Sequence, residues 1–340
     1  MPMLIRVTLM TGRFYYSVLL WAAILYGAGV VFKFGSLYLY EALMPWFSET
    51  PVKRITPPAM PTGKALLWRG LGIYVLLCGL VQIPPQVALD TKSQLQHLDI
   101  ASAQWALSHP LMQGWIQAWS IHPITYNILS FMLQAVIGIF LLTEPNTLTG
   151  RITLGFTLAW ALLIGIFAQG LGFILSSKNS LVAGAPGSGF LVAAASVLLL
   201  MPDQVWRAPR LDRWISRGWL AVFAIGTIWQ CAYFQAPRLA ASYPLGRALP
   251  QPTLLRAAIH DVSRFSAHDA VLVNLIWLVS LAVIAYAGIT ISQAMKWVAT
   301  ILLLVVWWIG QDFGLTAQFG LNLNTAPLWA LLLWARRSSH

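Results

Sequence analysis

Between Arg151 and Lys178 lie 26 consecutive residues without a charged side chain, and that stretch is one of a series. Apolar runs occupy 14–37, 66–89, 124–143, 150–175, 217–235, 269–290 and 296–311, with two shorter ones at 187–202 and 326–335. A helix needs about 20 apolar residues to cross the hydrocarbon of a bilayer. In lipid every backbone polar group must find an internal partner, so runs of this kind fold as helices. The expected fold is an all-α polytopic membrane protein with about nine transmembrane or half-membrane helices. The first run is closed by Lys33 and lacks a small-residue cleavage site, so it reads as a span and not as a signal peptide.

Composition agrees. Charged residues make up 9% of the chain, against about 25% in soluble domains, and the mean hydropathy is +0.71. The formal charge is nonetheless +11. The basic residues sort as topology signals before any nucleic acid is invoked. With the N-terminus outside, the inner segments hold 12 of the 21 Lys and Arg and the outer ones 8, leaving Lys33 in the first span. The cluster Arg207, Arg210, Arg213 and Arg217 is the strongest cytoplasmic mark. Seventeen Trp suit interfacial belts. Cys78 and Cys231 both lie in apolar runs, so neither a disulfide framework nor a cysteine metal site is indicated. The expectation is a bacterial or archaeal cell membrane, N-terminus outside and C-terminus cytoplasmic, with the lipid bilayer as the first partner and no nucleic acid.

The chain also repeats itself. Arg69-Gly70-Leu71 matches Arg217-Gly218-Trp219 and Gln82 matches Gln230, both at an offset of 148. Trp119-Ser-Ile-His122 aligns with Phe265-Ser-Ala-His268 at 146, Gln169-Gly-Leu-Gly172 with Gln311-Asp-Phe-Gly314 at 142, and Ala185-Pro186 with Ala326-Pro327 at 141. Offsets that shrink in order imply a second copy with shorter loops. Four apolar segments per copy keep both copies in one orientation, giving two parallel four-helix repeats plus one extra N-terminal helix. The organisation is an N-terminal helix within 1–40, a Pro-rich linker over 41–65, the first repeat over 66–202, a basic linker over 203–216, the second repeat over 217–335 and a tail over 336–340.

Each copy ends in a helix too short to cross. Only about ten residues separate Pro327 from Arg336, roughly 15 Å at the helical rise, half of the hydrocarbon core. Ser176–Gly189 and Gln311–Ala326 are therefore expected to dip into the membrane, where irregular backbone requires protein or a water-filled cavity around it. Asn324-Thr325-Ala326-Pro327 reads as an N-cap followed by proline in the first turn, and Gly184-Ala185-Pro186-Gly187-Ser188 takes the same part in the first copy. Both N-termini would point to an outer vestibule and offer an anion or carbonyl site. Candidate ligand-binding residues are Gln169, Gln311, Asn324, Thr325, Ser188, Gln82 and Gln230. Asp312, an acid at partial membrane depth, is the candidate catalytic residue. The alternative is that the glutamines and Asp312 only cap helix ends and close broken backbone.

Five of the six histidines fall on the expected outer side. His122 and His268 sit at the mouths of two helices, and His268 adjoins Asp269, so these three are candidates for proton relay or metal binding. Their spacings match no metal or haem signature, which weighs against haem or metal, and interfacial histidines satisfied by water are the alternative. The outer loops 90–121 and 236–266 are amphipathic: Leu95, Leu98, Ala101 and Trp105, then Leu111, Trp115, Ile116 and Trp119, recur at helical spacing. Helices there should lie along the interface as a cover. Walker A, Rossmann and G-x-S-x-G patterns are absent from the sequence, so ATP-driven transport and serine hydrolysis have no support.

Taken together, Gly79-Leu-Val-Gln82-x-x-Pro85, His122-Pro123-x-x-x-Asn127, Gln169-Gly-Leu-Gly172, Gly184-Ala-Pro-Gly187, Gln311-Asp-Phe-Gly314 and Asn324-Thr-Ala-Pro327 resemble the DoxX/DoxD group of bacterial membrane proteins, here as two fused four-helix copies over about 66–335. The chain departs from that pattern where Gln169 replaces an acid and Asn322-Leu323 an Asp-Pro pair, so only Asp312 keeps a carboxylate. The resemblance implies a redox protein or subunit that passes electrons from a small outer-side donor of the thiosulfate type to quinone. A non-catalytic subunit or assembly factor bound to other membrane-complex subunits, and a small-solute transporter, are the alternatives.

Overall fold

The computed structural model describes residues 60–82, 109–169, 180–231, 253–290, 292–311, 313 and 323–336, which are helices and turns without a strand. Eleven helices follow in order: α1 Thr62–Val81, α2 His109–Ile121, α3 Pro123–Thr143, α4 Leu148–Leu163, α5 Ser188–Leu200, α6 Asp203–Arg207, α7 Pro209–Gln230, α8 Thr253–His268, α9 Ala270–Ala287, α10 Gln293–Val305 and α11 Ala326–Ala335. α4 and α10 each run on into one wider π turn, Ile164–Ala168 and Val306–Gly310. Among the described residues five helices, counting those extensions, are long and apolar enough to cross a bilayer, and α5 and α11 are shorter apolar helices. The described residues from Pro61 onward belong to one compact unit, and the first apolar run and most of the Pro-rich linker fall among residues outside the description.

Helix ends differ from the sequence expectation where charge or proline decides them. α1 starts at Thr62 because Pro61 supplies the N-cap backbone, so the helix takes in the end of the expected linker. α7 starts at Pro209, a residue with φ already fixed for a first turn, and includes Arg210, Asp212, Arg213 and Arg217. Residues 209–216, read as linker from their charge, are therefore helical. α5 and α11 are 13 and 10 residues long, about 20 and 15 Å, against a hydrocarbon core of about 30 Å.

Packing pairs α1 with α3, α7 with α9, α4 with α5, and α10 with α11, while α11 also lies against α1. Small residues set the closest crossing of α1 and α3: a Cβ on Gly138 would stand 2.9 Å from the Gly72 carbonyl. Trp68 donates its indole N–H to the Leu141 carbonyl at 2.8 Å, and Trp219 donates to the Ile284 carbonyl at 3.0 Å. Both bonds satisfy a polar atom that lipid could not. Trp219, Phe223 and Trp329 then stack around one another with ring centroids 4.8 to 5.3 Å apart. The amphipathic helices α2 and α8 pack on the two π turns, as expected of a cover over the broken ends. Leu95, Leu98, Ala101 and Trp105 lie outside the described residues.

Charges gather at one end of the bundle. Lys64, 1% exposed, pairs with Asp203 at 2.7 Å and donates to the Met201 carbonyl at 2.9 Å. Asp203 is 21% exposed and carries the only neutralising charge within ion-pair distance of this lysine among the described residues. Removing one partner of a buried pair typically costs about 3–5 kcal/mol, and partial exposure of Asp203 puts Asp203→Ala at the low end. We expect a loss of about 3 kcal/mol for Asp203→Ala in reversible unfolding by SDS titration in bicelles. Lys64→Met keeps the buried stem without the charge and should cost clearly less; equal losses would show that the charge left behind is not what matters.

Candidate functional site

The two short helices begin at buried residues, and each has its first turn closed by a glutamine from the helix before it. At the end of α4 the π turn lets the Gln169 N–H reach the Ile164 carbonyl at 2.8 Å, five residues back. That turn places the Gln169 side chain beside the start of α5. Its Nε2 donates to Ser188 Oγ at 2.6 Å, and its Oε1 accepts from the Gly189 N–H at 3.0 Å. The second copy of this geometry follows α10. Gln311 N–H reaches the Val306 carbonyl at 3.1 Å, Nε2 donates to Thr325 Oγ1 at 3.0 Å, and Oε1 accepts from the Ala326 N–H at 3.2 Å. Gln169, Ser188, Gln311 and Thr325 are all buried.

An isolated helix start leaves about four N–H groups without partners. The glutamine carbonyls take one at each short helix, and Pro327 removes another from α11. Neither helix is capped by its own N-cap side chain. Gly187 holds the N-cap of α5 at φ 86°, a conformation suited to glycine. For α11, Thr325 is the N-cap residue of the Asn324-Thr325-Ala326-Pro327 stretch, and Asn324 is turned into the left-handed region at φ 61°. Its Oδ1 accepts from the Thr325 N–H at 2.9 Å, so the side chain closes its own turn and does not reach the helix.

The two broken segments also meet each other. Gln311 Nε2 lies 3.4 Å from the Leu181 carbonyl. A Cβ on Gly184, which has φ 110°, would collide with the Asn324 side chain. Tyr74 of α1 joins them by donating its hydroxyl to the Asn324 carbonyl at 2.7 Å. Gln169, Ser188, Gln311, Asn324 and Thr325 thus form the buried polar centre of this unit, with Tyr74 and Leu181 added by the fold.

Other candidates stand apart. Gln230 donates to Asn274 Oδ1 at 2.7 Å while Asn274 Nδ2 donates back to the Gln230 carbonyl at 3.0 Å, locking α7 to α9. Gln82 donates to the Cys78 carbonyl one turn earlier, at 3.2 Å. Asn274 was visible as half of a recurring pair, since Gln82 and Asn127 recur as Gln230 and Asn274. His122 is the exposed N-cap position of α3; His268 ends α8 and is exposed. Asp269 caps α9 by accepting from the Leu272 N–H at 3.0 Å. Among the described residues no three His, Cys, Asp or Glu side chains come together as a metal site. Asp312 lies outside the described residues.

Beside the polar centre, α1, α10 and α11 enclose a lateral groove of about 520 Å³, walled by side chains such as Ile73, Leu77, Leu304, Leu331, Trp297 and Trp334. Several of its polar side chains are already engaged. Trp334 donates to Thr300 Oγ1 at 2.9 Å, Thr300 to the Lys296 carbonyl at 2.7 Å, and Trp307 to the Leu323 carbonyl at 2.8 Å. What is left is hydrocarbon surface. Tyr74, Leu323 and Ala326 line the groove where it adjoins the Gln311–Thr325 bond. Compared with known protein families, curated proteins and solved structures, the chain matches none.

Proposed function

We propose that this chain is an integral membrane protein of two parallel four-helix repeats after one N-terminal span, and that it binds quinone as a redox protein or subunit. The repeat reading is supported by the paired geometry: π turn, glutamine, short helix, in the same order twice. Placing the N-terminus outside puts the Lys64–Arg336 end on the cytoplasmic side, as the basic residues favour.

The observation that carries the quinone reading is the groove. A cavity of about 520 Å³ is the size of an ordinary small-molecule site. A wall made mostly of hydrocarbon side chains suits an isoprenoid tail, and the groove adjoins Tyr74 and the Leu323–Ala326 turn, where a polar headgroup has hydroxyl and amide neighbours. A bound quinone supplies a two-electron acceptor; the chain's part is to hold the tail and place the headgroup beside Tyr74. The small outer-side donor enters through the DoxX/DoxD resemblance alone.

Quinone content measured by extraction from protein purified in mild detergent tests this. Wild type should carry quinone at a sizeable fraction of one per chain. Ala330→Trp, which fills the groove from α11, should reduce that content about tenfold, the loss of roughly 1.4 kcal/mol of binding. Quinone-free wild type, or equal content in both, would overturn the reading. A second reading, a non-catalytic subunit, has its own support: both glutamine side chains are engaged in closing backbone. It predicts stoichiometric partners in gentle-detergent purification and no bound quinone.

A further inference from the structure

The charged end of the bundle holds more buried positive charge than its neighbours neutralise. Lys296, 0% exposed, donates to the Arg336 carbonyl at 3.1 Å and lies 5.8 Å from the centre of the Trp334 ring. Arg336, 5% exposed, donates one guanidinium N–H to the Gly288 carbonyl, and its Nε has no partner. Among the described residues neither has a carboxylate within ion-pair distance, whereas Lys64 at the same end has Asp203. Burying a cation without a counter-charge costs several kcal/mol, and removal of a partner from such a site is among the larger penalties known in folded proteins. Carbonyl dipoles and one indole face offset only part of that. Asp212 is the acid whose charge reaches both cations, and one carboxylate against two buried cations leaves the group net positive.

The space for an anion is present. Arg336 lines a cavity of about 430 Å³ between the starts of α1 and α7 and the end of α11, together with Thr62, Trp206, Arg207, Asp212 and Trp334. Asp212 is the one acid on its wall, set against Arg207 and Arg336, with Lys296 directly behind. Lys296 and Arg336 together outweigh Asp212 even when it is ionised. Arg210, Arg213 and Arg217 extend the same sign along α7. Leu66 and Trp334 stand on both this cavity and the apolar groove, so the two lie back to back, one with charged side chains on its wall and one hydrocarbon.

We propose that this cavity binds a phosphate anion, as a phosphoester or as free phosphate, with Arg336 and Arg207 as its ligands. Phosphate is the chemistry that fits. A guanidinium fork presents parallel N–H groups matched to phosphate oxygens, and the charged end of a membrane bundle stands at the level of the lipid headgroups. The site is separate from the quinone groove and does not depend on it.

The test is native mass spectrometry of the full chain in detergent, titrated with dioleoyl phosphatidylglycerol, dioleoyl phosphatidylcholine or inorganic phosphate. The anionic lipid should bind at least about tenfold more tightly than the zwitterionic one, and Arg336→Met should remove that preference while keeping the buried stem. If inorganic phosphate displaces the anionic lipid and raises thermal stability alone, the source is free phosphate; if only the lipid binds, it is a headgroup. Arg207→Gln, at an exposed position, covers the case in which Arg336→Met does not fold, and should weaken binding about threefold or more. Equal binding of the two lipids with no effect of inorganic phosphate, or a preference unchanged in both variants, would overturn the proposal.

Discussion

Gln311→Leu should lower the free energy of unfolding by about 4 kcal/mol, measured by SDS titration in bicelles, and Gln169→Leu by a similar amount. The estimate follows from the partners. Without Gln311 the Ala326 N–H loses its acceptor and Thr325 Oγ1 loses its donor, both at buried positions. Each unmatched buried group costs about 1–3 kcal/mol, because burial keeps a replacement partner away. A local readout separates this from general loosening. Hydrogen exchange at Ala326 should rise sharply in Gln311→Leu and at Gly189 in Gln169→Leu, with each variant leaving the other helix start protected. Gln311→Glu sharpens the contrast: it keeps an acceptor for Ala326 but replaces the amide donor with a second acceptor facing the Leu181 carbonyl. It should be as damaging as leucine. Exchange that stays at wild-type levels in Gln311→Leu would show that the amide does not close the helix.

Much of this was legible along the chain, because the constraint that shapes it is local. Length of apolar run identifies α3, α9 and α11 within a few residues, and the ten residues between Pro327 and Arg336 already imply a helix that cannot cross. Gln169 and Gln311 stand out as amides repeated at equivalent places in apolar surroundings. Their partners could not be read the same way. A cap is normally sought in the residues just before a helix, and Asn324 satisfies that pattern, yet the acceptor for Ala326 comes from Gln311, across a turn and on another helix. Only the π turn aims it there, and a single widened turn leaves no mark in hydropathy. Tyr74 and Asn324 are 250 residues apart, and Lys296 and Arg336 are 40 apart, so these contacts exist only once helices pack. Arg336 reads in the sequence as a topology signal, and the burial of its side chain is visible only in the fold. The start of α7 was displaced for the opposite reason: charges at Arg210, Asp212 and Arg213 hid about two turns of helix from an apolar count.

The second large effect lies in the same crossing, and it separates two glycines that look alike in sequence. A Cβ on Gly189 would stand 2.6 Å from both the Ala161 carbonyl oxygen and the Gly165 nitrogen, and 2.7 Å from Gly165 Cα. All three are backbone atoms, so no side chain can rotate away, and α5 has to move off α4. A Cβ on Gly165 finds nothing nearer than 3.4 Å. Overpacking a well-filled interior costs about 1–3 kcal/mol when side chains can yield, and more when they cannot. Gly189→Leu should therefore cost at least about 4 kcal/mol, while Gly165→Ala should stay within about 1 kcal/mol of wild type. The two sites are also coupled to the glutamine. Shifting α5 takes the Gly189 N–H away from Gln169 Oε1, so the bond that Gln169→Leu removes is already gone in Gly189→Leu. Combined, the two substitutions should destabilise by clearly less than the sum of their separate effects. Strict additivity would mean that close approach of the helices and closure by the amide are independent, and that the small residue serves packing alone.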